Sequence, residues 1–280
     1  MKNSLPLLKD MILPSFFTLS KGVKIKEGGI AIKKEFKNVT IDEVSLKKYT
    51  QFFDWEQQHP LAFFYLMAQR AQTSLMLQPN FTIAIPGLVH ISNRIEKLGV
   101  IDCALPFDLI ANVVVDFKDV GSLIPKFTVN FFQNNEPVIF CESTYVAKRK
   151  GNKRDNPSVN KEAFITKPFS SEIWEIPKNL GQIYATASGD KNPIHSSKVF
   201  ARIIGFPRPI LQGWYSISRI VKEYETENAI AFQSIEVDFK SPVFLPSQQK
   251  VDIQKNDKNE VLFQLTDMQT NIIVLYGKLK

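Results

Sequence analysis

A carboxylate and an imidazole lie five residues apart in the segment 184–195, which reads Tyr-Ala-Thr-Ala-Ser-Gly-Asp-Lys-Asn-Pro-Ile-His. Because Pro193 interrupts the helical register between them, Asp190 and His195 are expected on a turn rather than on one helix face. A turn fixed by Asn and Pro can direct both groups to one point. There, one group takes a proton from a bound water or hydroxyl while the other delivers one. The same composition is common in surface turns, so a solvated turn is the alternative.

Each half of the chain carries helical sequence upstream of its strand-like segments. In the first half, a mostly apolar helix is predicted from Pro60 to Leu77, and such a helix must be covered on nearly all sides. In the second half, apolar and charged residues alternate at helical spacing. The apolar set is Trp214, Ile217, Val221 and Tyr224, and the charged set largely opposite is Arg219, Lys222, Glu223 and Glu225.

Extended segments follow both helices. They are predicted at 109–117, 126–132, 138–147, 235–239, 250–254, 261–265 and 272–279. A long apolar helix followed by antiparallel strands, twice, predicts an α+β fold in which a sheet wraps a helix. A doubly wound fold would need a glycine-rich first turn, which this sequence lacks.

Two features indicate a chain of two similar units. Val-Asp-Phe-Lys at 115–118 recurs at 237–240, and Leu-Ile-Pro at 123–125 is echoed by Phe-Leu-Pro at 244–246. Residues 148–156 are strongly basic and contain no apolar residue, as expected for a solvated connection.

We therefore predict a first domain at 1–150 and a second at 157–280. The length of 280 residues is compatible with two units or one large one.

The composition is that of a folded, soluble protein. Hydrophobic residues make up 44% of the chain and 22 residues are Phe, so whole-chain disorder is excluded. The 35 Lys and Arg exceed the 28 Asp and Glu, and the resulting +7 charge suits a phosphate-bearing ligand or an acidic carrier protein. Nucleic-acid binding is disfavoured because basic and aromatic residues are not interleaved along one stripe.

Cysteine and histidine usage restricts location and metal binding. Cys103 and Cys141 allow at most one disulfide, so a reducing cytoplasm is predicted. The three histidines lack paired-ligand spacing, and no metal is expected. A Lys-Asp pair and two prolines interrupt residues 1–17, which argues against an export signal. The uncharged stretch 71–93 contains polar residues and prolines, and is interpreted as buried globular structure.

The segment around Asp190 resembles the signature of the MaoC-like (R)-specific enoyl-thioester hydratases and 3-hydroxyacyl dehydratases. The residues that carry the resemblance are Ser-Gly-Asp-Lys-Asn-Pro-Ile-His at 188–195, Phe-Ala at 200–201, Gly-Phe at 205–206, Arg-Pro-Ile-Leu-Gln-Gly at 208–213 and Phe-Lys-Ser-Pro-Val-Phe-Leu-Pro at 239–246. The resemblance implies a hot-dog fold. Because tandem members exist, we expect a double hot dog, with two antiparallel sheets each wrapped round a long central helix as a pseudo-dimer in one chain.

The resemblance also implies which residues react. Asp190 and His195 would hold the water that adds across the 2,3 double bond of a trans-2-enoyl thioester. The backbone N–H of Gly213, at the start of the central helix, would stabilise the charge on the thioester oxygen.

Further residues are expected to bind substrate or brace the site. The predicted substrate-binding residues are Ser188, Asn192, Arg208, Gln212 and Lys240. Among them Ser188 and Asn192 are expected to brace the turn, while Tyr184 packs. Candidates for phosphate contacts are Lys191, Lys198, Arg202, Arg208 and Lys240, with solvated surface charge as the alternative for each.

Two positions depart from the family pattern. Gln212 stands where many relatives have His, and Val221 stands where some single-domain members have a hydroxyl residue. Both departures concern substrate geometry, since Asp190, His195 and Gly213 are present.

The first half lacks the Gly-Asp-x-Asn-Pro-x-His arrangement when Tyr49 is placed against Tyr184. Asp54 and His59 are also five apart but lack the Gly and the central Pro, so they are interpreted as structural. His90, in Pro-Gly-Leu-Val-His, resembles the start of the first unit's central helix and is likewise interpreted as structural.

The predicted function is reversible hydration of trans-2-enoyl thioesters to (R)-3-hydroxyacyl thioesters in fatty-acid or related acyl metabolism. Such a hydro-lyase needs no cofactor beyond the coenzyme A or acyl carrier protein that carries the substrate, and a homodimer is a further expectation. The alternatives are a hot-dog thioesterase and a non-catalytic acyl-thioester binder. The absence of a nucleophile elbow and the presence of both Asp190 and His195 disfavour them.

Overall fold

The computed structural model describes residues 4–21, 29–56, 59–115, 122–147, 164–258 and 260–280. The α-helices are α1 (Leu8–Phe17), α2 (Glu43–Phe53), α3 (Leu61–Met76), α4 (Leu180–Ser188), α5 (Lys198–Ile203) and α6 (Gly213–Asn228). The strands are β1 (Ile30–Val39), β2 (Leu88–Lys97), β3 (Phe107–Val115), β4 (Lys126–Gln133), β5 (Glu136–Ala147), β6 (Ser170–Ile176), β7 (Ser234–Phe239), β8 (Ser247–Lys255), β9 (Val261–Asp267) and β10 (Ile272–Leu279). In these ranges no helix is both long and apolar enough to span a membrane.

The ten strands form one antiparallel sheet with the order β1-β3-β4-β5-β2-β7-β10-β9-β8-β6. This order is mirrored about the β2–β7 pair, because each strand of the first five has its counterpart five strands later at the same distance from the centre. The central pair places Asn93 opposite Val237 and Ile95 opposite Ile235. The expectation of two separate sheets is therefore corrected to one continuous sheet, since pairing with β7 satisfies the edge of β2 that would otherwise stay open.

Helices α3 and α6 occupy the core of the two halves. Helix α3 is buried along its whole length except at Gln69, Arg70 and Thr73, as its apolar sequence predicts. The apolar face predicted for α6 is confirmed, and its members are 0–5% exposed: Trp214, Ile217, Val221 and Tyr224. Glu225, predicted on the charged face, is instead buried at 5% exposure.

The predicted extended segments all coincide with strands, but three strands and four helices were not predicted. The predicted strand at 109–117 corresponds to β3, of which residues 116–117 lie outside the described residues. The missed strands are β1, β2 and β6, and the missed helices are α1, α2, α4 and α5. Two of these strands form the outer edges of the sheet, where alternating burial is weaker.

The four-residue repeat does not relate equivalent strands. Val115 ends β3, whereas Val237 lies in β7, whose counterpart in the mirrored order is β2. Residues 116–118 lie outside the described part of the chain, as does the predicted domain boundary at 148–156. The two halves of the chain are therefore similar in their mirrored strand order, and the Val-Asp-Phe-Lys repeat does not reflect this similarity.

Candidate active site

The segment that carries Asp190 and His195 is a turn between two short helical pieces, as predicted. Helix α4 ends at Ser188, and Gly189 caps it with φ of 76°, a left-handed conformation that glycine adopts without strain. The chain then enters a short 3-10 helix, Pro193–His195. The Asn192 side chain accepts a hydrogen bond from the Ile194 N–H at 3.3 Å and so caps this helix.

The turn brings the carboxylate and the imidazole together. His195 Nε2 lies 3.8 Å from Asp190 Oδ2, and the side chains are 8% and 17% exposed. His195 Nδ1 lies 2.8 Å from the carbonyl oxygen of Ile210. A carbonyl oxygen can only accept a hydrogen bond, so Nδ1 carries the proton and Nε2 is left as an acceptor facing Asp190.

Local hydrogen bonds fix the orientation of Asp190. Its Oδ1 accepts from the Asn192 N–H at 3.2 Å, and its own N–H donates to Ser188 Oγ at 3.2 Å. Ser188 Oγ donates in turn to the carbonyl oxygen of Tyr184 at 3.0 Å. Ser188 and Asn192 therefore brace the turn, and Asn192 also lines the adjoining cavity.

Gln212 joins this turn to the start of α6. Its buried Nε2 donates to the carbonyl oxygens of Gly181 at 3.0 Å and Asp190 at 3.2 Å. Gln212 thus supports Asp190, while its buried Oε1 has no hydrogen-bond partner in the described part of the chain.

Gly213, the first residue of α6, lies against an aromatic ring. A Cβ at this position would approach Cε1 of Phe239 to 2.7 Å, so a side chain here would displace the ring. The N–H groups in the first turn of a helix have no partner within the helix. Gly213 therefore has no side chain that would block close approach of a ligand. Its backbone N–H, at the positive end of the helix, has no partner within the helix.

A cavity of about 170 Å³ adjoins Asp190 and is lined by both halves of the chain. The turn contributes Asp190, Asn192 and Ile194. The first half contributes residues of α1 and also Gln69, Thr73 and Tyr145, which sequence reasoning missed. The signal for Gln69 and Thr73 was present as two polar residues, one turn apart, on a helix that is otherwise mostly apolar.

Two predicted substrate-binding cations lie outside the lining of this cavity. Arg208 donates to the carbonyl oxygen of Pro246 at 3.1 Å and lies over the ring of Phe244. Lys240 Nζ lies 3.8 Å from Asp238 Oδ1 and 4.8 Å from the ring centre of Tyr276. These contacts within the chain explain where the Arg208 and Lys240 side chains lie. The other basic candidates are exposed: Lys191, Lys198 and Arg202.

The corresponding place in the first half is filled by packing residues. Asp54 ends α2 in a left-handed conformation, as Gly189 ends α4, and Trp55 then follows where Asp190 follows Gly189. Trp55 Nε1 donates to Glu225 Oε2 at 3.1 Å, and burial raises the pKa of Glu225 to about 7.

Tyr184 and His90 also pack. Tyr184 is 1% exposed and its ring contacts Phe52 and Phe53. His90 lies on β2, not at a helix start, which corrects the sequence interpretation, and its ring stacks on Tyr145 with centres 4.5 Å apart. Burial lowers the pKa of His90 to about 4, so it is neutral near pH 7. His59 is half-buried.

Within the described ranges, no group of three or more His, Cys, Asp or Glu side chains is placed to hold a metal ion. A larger depression of about 550 Å³, next to the β4–β5 hairpin, is lined by none of the predicted site residues. Of the predicted site residues, Asp190 and Asn192 line the smaller cavity, and His195 lies beside Asp190.

The sequence is similar to one family profile and to several known proteins. Residues 160–277 match the profile of the family described as "MaoC like domain". "Peroxisomal multifunctional enzyme type 2" of Drosophila melanogaster is 24% identical over 217 residues, covering 71% of this chain and 35% of that protein. "3-hydroxyacyl-thioester dehydratase X" of Mycobacterium tuberculosis is 22% identical over 205 residues, covering 71% of each protein. The chain thus spans only 35% of the Drosophila relative's length.

A solved structure shares the fold. The crystal structure of HtdX of Mycobacterium tuberculosis matches with a TM-score of 0.70 at 19% identity, over 89% of this chain and 99% of that one. This likeness shows that the chain shares the hot-dog fold of that structure, in agreement with the long helices and antiparallel sheet described above. The family profile matches the second half of the chain, which carries Asp190, His195 and Gly213.

Proposed function

We propose that this protein catalyses the reversible hydration of trans-2-enoyl thioesters to (R)-3-hydroxyacyl thioesters. The observation that carries the proposal is the 3.8 Å separation of His195 Nε2 and Asp190 Oδ2 beside a cavity. A water molecule can bond to both groups at this separation. The Nδ1 bond to the Ile210 carbonyl leaves Nε2 as the proton acceptor.

The reaction balances with these two groups alone. The water oxygen bonds to C3 while one proton of the water passes to the Asp190–His195 pair, and the C2–C3 π electrons move toward the thioester carbonyl. The pair then returns one proton to C2, so it ends in its starting protonation state. Dehydration follows the same steps in reverse.

Gly213 supports the step in which charge builds up. The enolate oxygen of the intermediate needs a hydrogen-bond donor, and the first-turn N–H groups of α6 carry the partial positive charge of the helix start. The Gln212 bond to the Asp190 carbonyl oxygen ties this helix start to the reacting turn. The donor and the proton-transferring pair are thereby held in one framework.

We further propose that the chain is a double hot dog, with domains at 1–150 and 157–280. Two related units are supported by the mirrored strand order, by the pair of helices α3 and α6, and by the pair α2 and α4. In the first unit Trp55 stands where Asp190 stands in the second. This supports a first unit that lacks catalytic groups and that serves to complete the cavity.

The substrate is proposed to arrive as a coenzyme A or acyl-carrier-protein thioester, with no further cofactor. Exposed cations close to the turn in sequence, such as Lys191 and Lys198, suit its phosphate groups. The name of the Mycobacterium relative, a 3-hydroxyacyl-thioester dehydratase, agrees with this substrate class. Cys103 and Cys141 are both unpaired, in keeping with the predicted reducing cytoplasm, and homodimer formation stays a prediction.

Purified protein and crotonyl-CoA test the proposal. Loss of the ultraviolet absorbance of the conjugated thioester, with formation of (R)-3-hydroxybutyryl-CoA in chiral analysis, is expected. Release of free coenzyme A thiol without hydration would instead indicate a thioesterase. Binding without turnover of any enoyl thioester would indicate a binding protein, and either result would reject the hydratase.

A further inference from the structure

We propose that Gln69, from the first half of the chain, is a positioning residue for Asp190 in the second half. The inference deepens the proposed hydratase function and rests on it. Gln69 Nε2 lies 3.4 Å from Asp190 Oδ2 and donates to it. This is the same oxygen that faces His195 Nε2 at 3.8 Å, so Gln69 and His195 flank one carboxylate oxygen.

The two oxygens of Asp190 are held by different parts of the chain. Oδ1 accepts from the Asn192 N–H within the turn itself. Oδ2 accepts from Gln69, which lies 121 residues earlier in the sequence. Without the Gln69 amide, the turn would fix one oxygen and leave the torsion that places Oδ2 less restricted. The oxygen that shares the water with His195 is therefore oriented across the two halves.

Helix α3 is built so that Gln69 faces the site. Thirteen of its sixteen residues are buried, and the exceptions are Gln69, Arg70 and Thr73. Gln69 and Thr73, one turn apart, line the cavity beside Asp190. The helix cannot rotate or slide without exposing its apolar residues, so the amide is presented from a rigid element.

The position equivalent to Gln69 in the other half carries no polar group. Gln69 is the ninth residue of α3, and the ninth residue of α6 is Val221, which is fully buried. The place of Asp190 in that half is taken by Trp55, which has no carboxylate to orient. A polar side chain thus occurs at this helix position in the half that faces Asp190, and not in the other.

An uncharged amide suits the role. It donates a hydrogen bond to a carboxylate without adding a charge that would compete with His195 for it. A leucine of similar size would fill the space but donate nothing. A glutamate would place a second carboxylate against Asp190 and repel it once both are ionised.

The test compares Gln69→Leu with Gln78→Leu in the full chain, using steady-state hydration of crotonyl-CoA. Gln78 follows α3, is half-buried, and donates to the Ser74 carbonyl oxygen away from the cavity, so it is a matched control. We expect Gln69→Leu to lower kcat about 10-fold with little change in KM, and Gln78→Leu to leave both unchanged. Equal melting temperatures exclude a folding defect.

Two further variants separate positioning from packing. If Gln69 acts through Asp190, its loss should have no further effect on kcat in an Asp190→Asn background. Gln69→Glu should be less active than Gln69→Leu at neutral pH and regain activity toward acid pH, where its protonated carboxyl can donate.

The outcomes also distinguish the inference from the proposed function. An unchanged kcat in Gln69→Leu, or an undiminished Gln69→Leu effect in the Asp190→Asn background, would overturn the inference while leaving the hydratase intact. Absence of hydration by the unmodified chain would reject the proposed function and this inference with it.

Discussion

The indole Nε1 of Trp214 donates a hydrogen bond of 2.9 Å to the carbonyl oxygen of Ala62. Trp214 is the second residue of α6 and Ala62 is the second residue of α3, so the bond joins the starts of the two core helices. Both residues are buried, and the ring of Trp214 also stacks on Tyr65 with centres 3.9 Å apart. The two halves are therefore joined at the starts of α3 and α6, and α6 starts at Gly213.

Trp214→Phe keeps an aromatic ring and removes this donor. The buried Ala62 carbonyl would lose a partner, so we expect the free energy of unfolding to fall by about 1–3 kcal/mol in denaturant titration. Trp174→Phe is the control, because Trp174 is also buried but its indole N–H donates a longer, 3.4 Å bond to the exposed Glu172 within the same half of the chain. Equal losses of unfolding free energy in the two variants would show that the bond between Trp214 and Ala62 stabilises the protein no more than the control bond does.

Replacing Gly213 with Ala should reduce activity through the neighbouring ring. The new Cβ would approach the Phe239 ring to 2.7 Å, so the ring or the start of α6 must move. We expect kcat to fall about 10-fold or more, since oxyanion donors act only at the correct position.

Gly87→Ala serves as the control for that substitution, because a Cβ there meets no atom within 4 Å. Replacing Phe239 with Leu in the Gly213→Ala background should recover part of the lost rate. If Gly213→Ala and Gly87→Ala were equally active, the proposed role of the helix start would be wrong.

The buried Glu225 predicts a pH dependence of stability. Burial raises its pKa to about 7 in the folded protein, above the value of 4.5 for an unperturbed Glu. Between these values the folded state binds more protons than the unfolded state, so its contribution makes the protein less stable as pH rises from about 4.5 through 7. The slope is at most about 1.4 kcal/mol per pH unit.

Glu225→Gln should flatten this slope in unfolding experiments at pH 5 and pH 8, whereas the exposed Glu227→Gln should not. His90, whose pKa burial lowers to about 4, acts in the opposite sense below its usual value near 6.5. Because His90 is common to all variants, its contribution cancels when they are compared. An equal slope with and without Glu225 would contradict the prediction.

Much of the site could be predicted because its key contacts are local. Gly189, Asp190, Asn192 and His195 lie within one turn, where glycine, asparagine and proline have defined backbone roles. Likewise, the predicted strands β4 and β10 follow from residue alternation within short segments. Patterns of this kind are fully present in the printed sequence.

Contacts between distant segments could not be predicted in the same way. The helical pattern placed Glu225 opposite the apolar face of α6, but the indole of Trp55 covers that side as well. The pairing of β2 with β7, which turns two expected sheets into one, depends on two edges meeting. Gln69 reaches Asp190 for the same reason, because tertiary packing rather than sequence spacing joins them.

Asp190 and His195 are proposed to form one proton-transferring pair for hydration of an enoyl thioester. The most direct test is kcat for crotonyl-CoA hydration by the unmodified protein, Asp190→Asn and the control Asp257→Asn, whose aspartate is exposed in a turn. We predict a loss of about 10²-fold or more in Asp190→Asn and no change in the control. An Asp190→Asn protein that hydrates crotonyl-CoA at the unmodified rate would contradict the account.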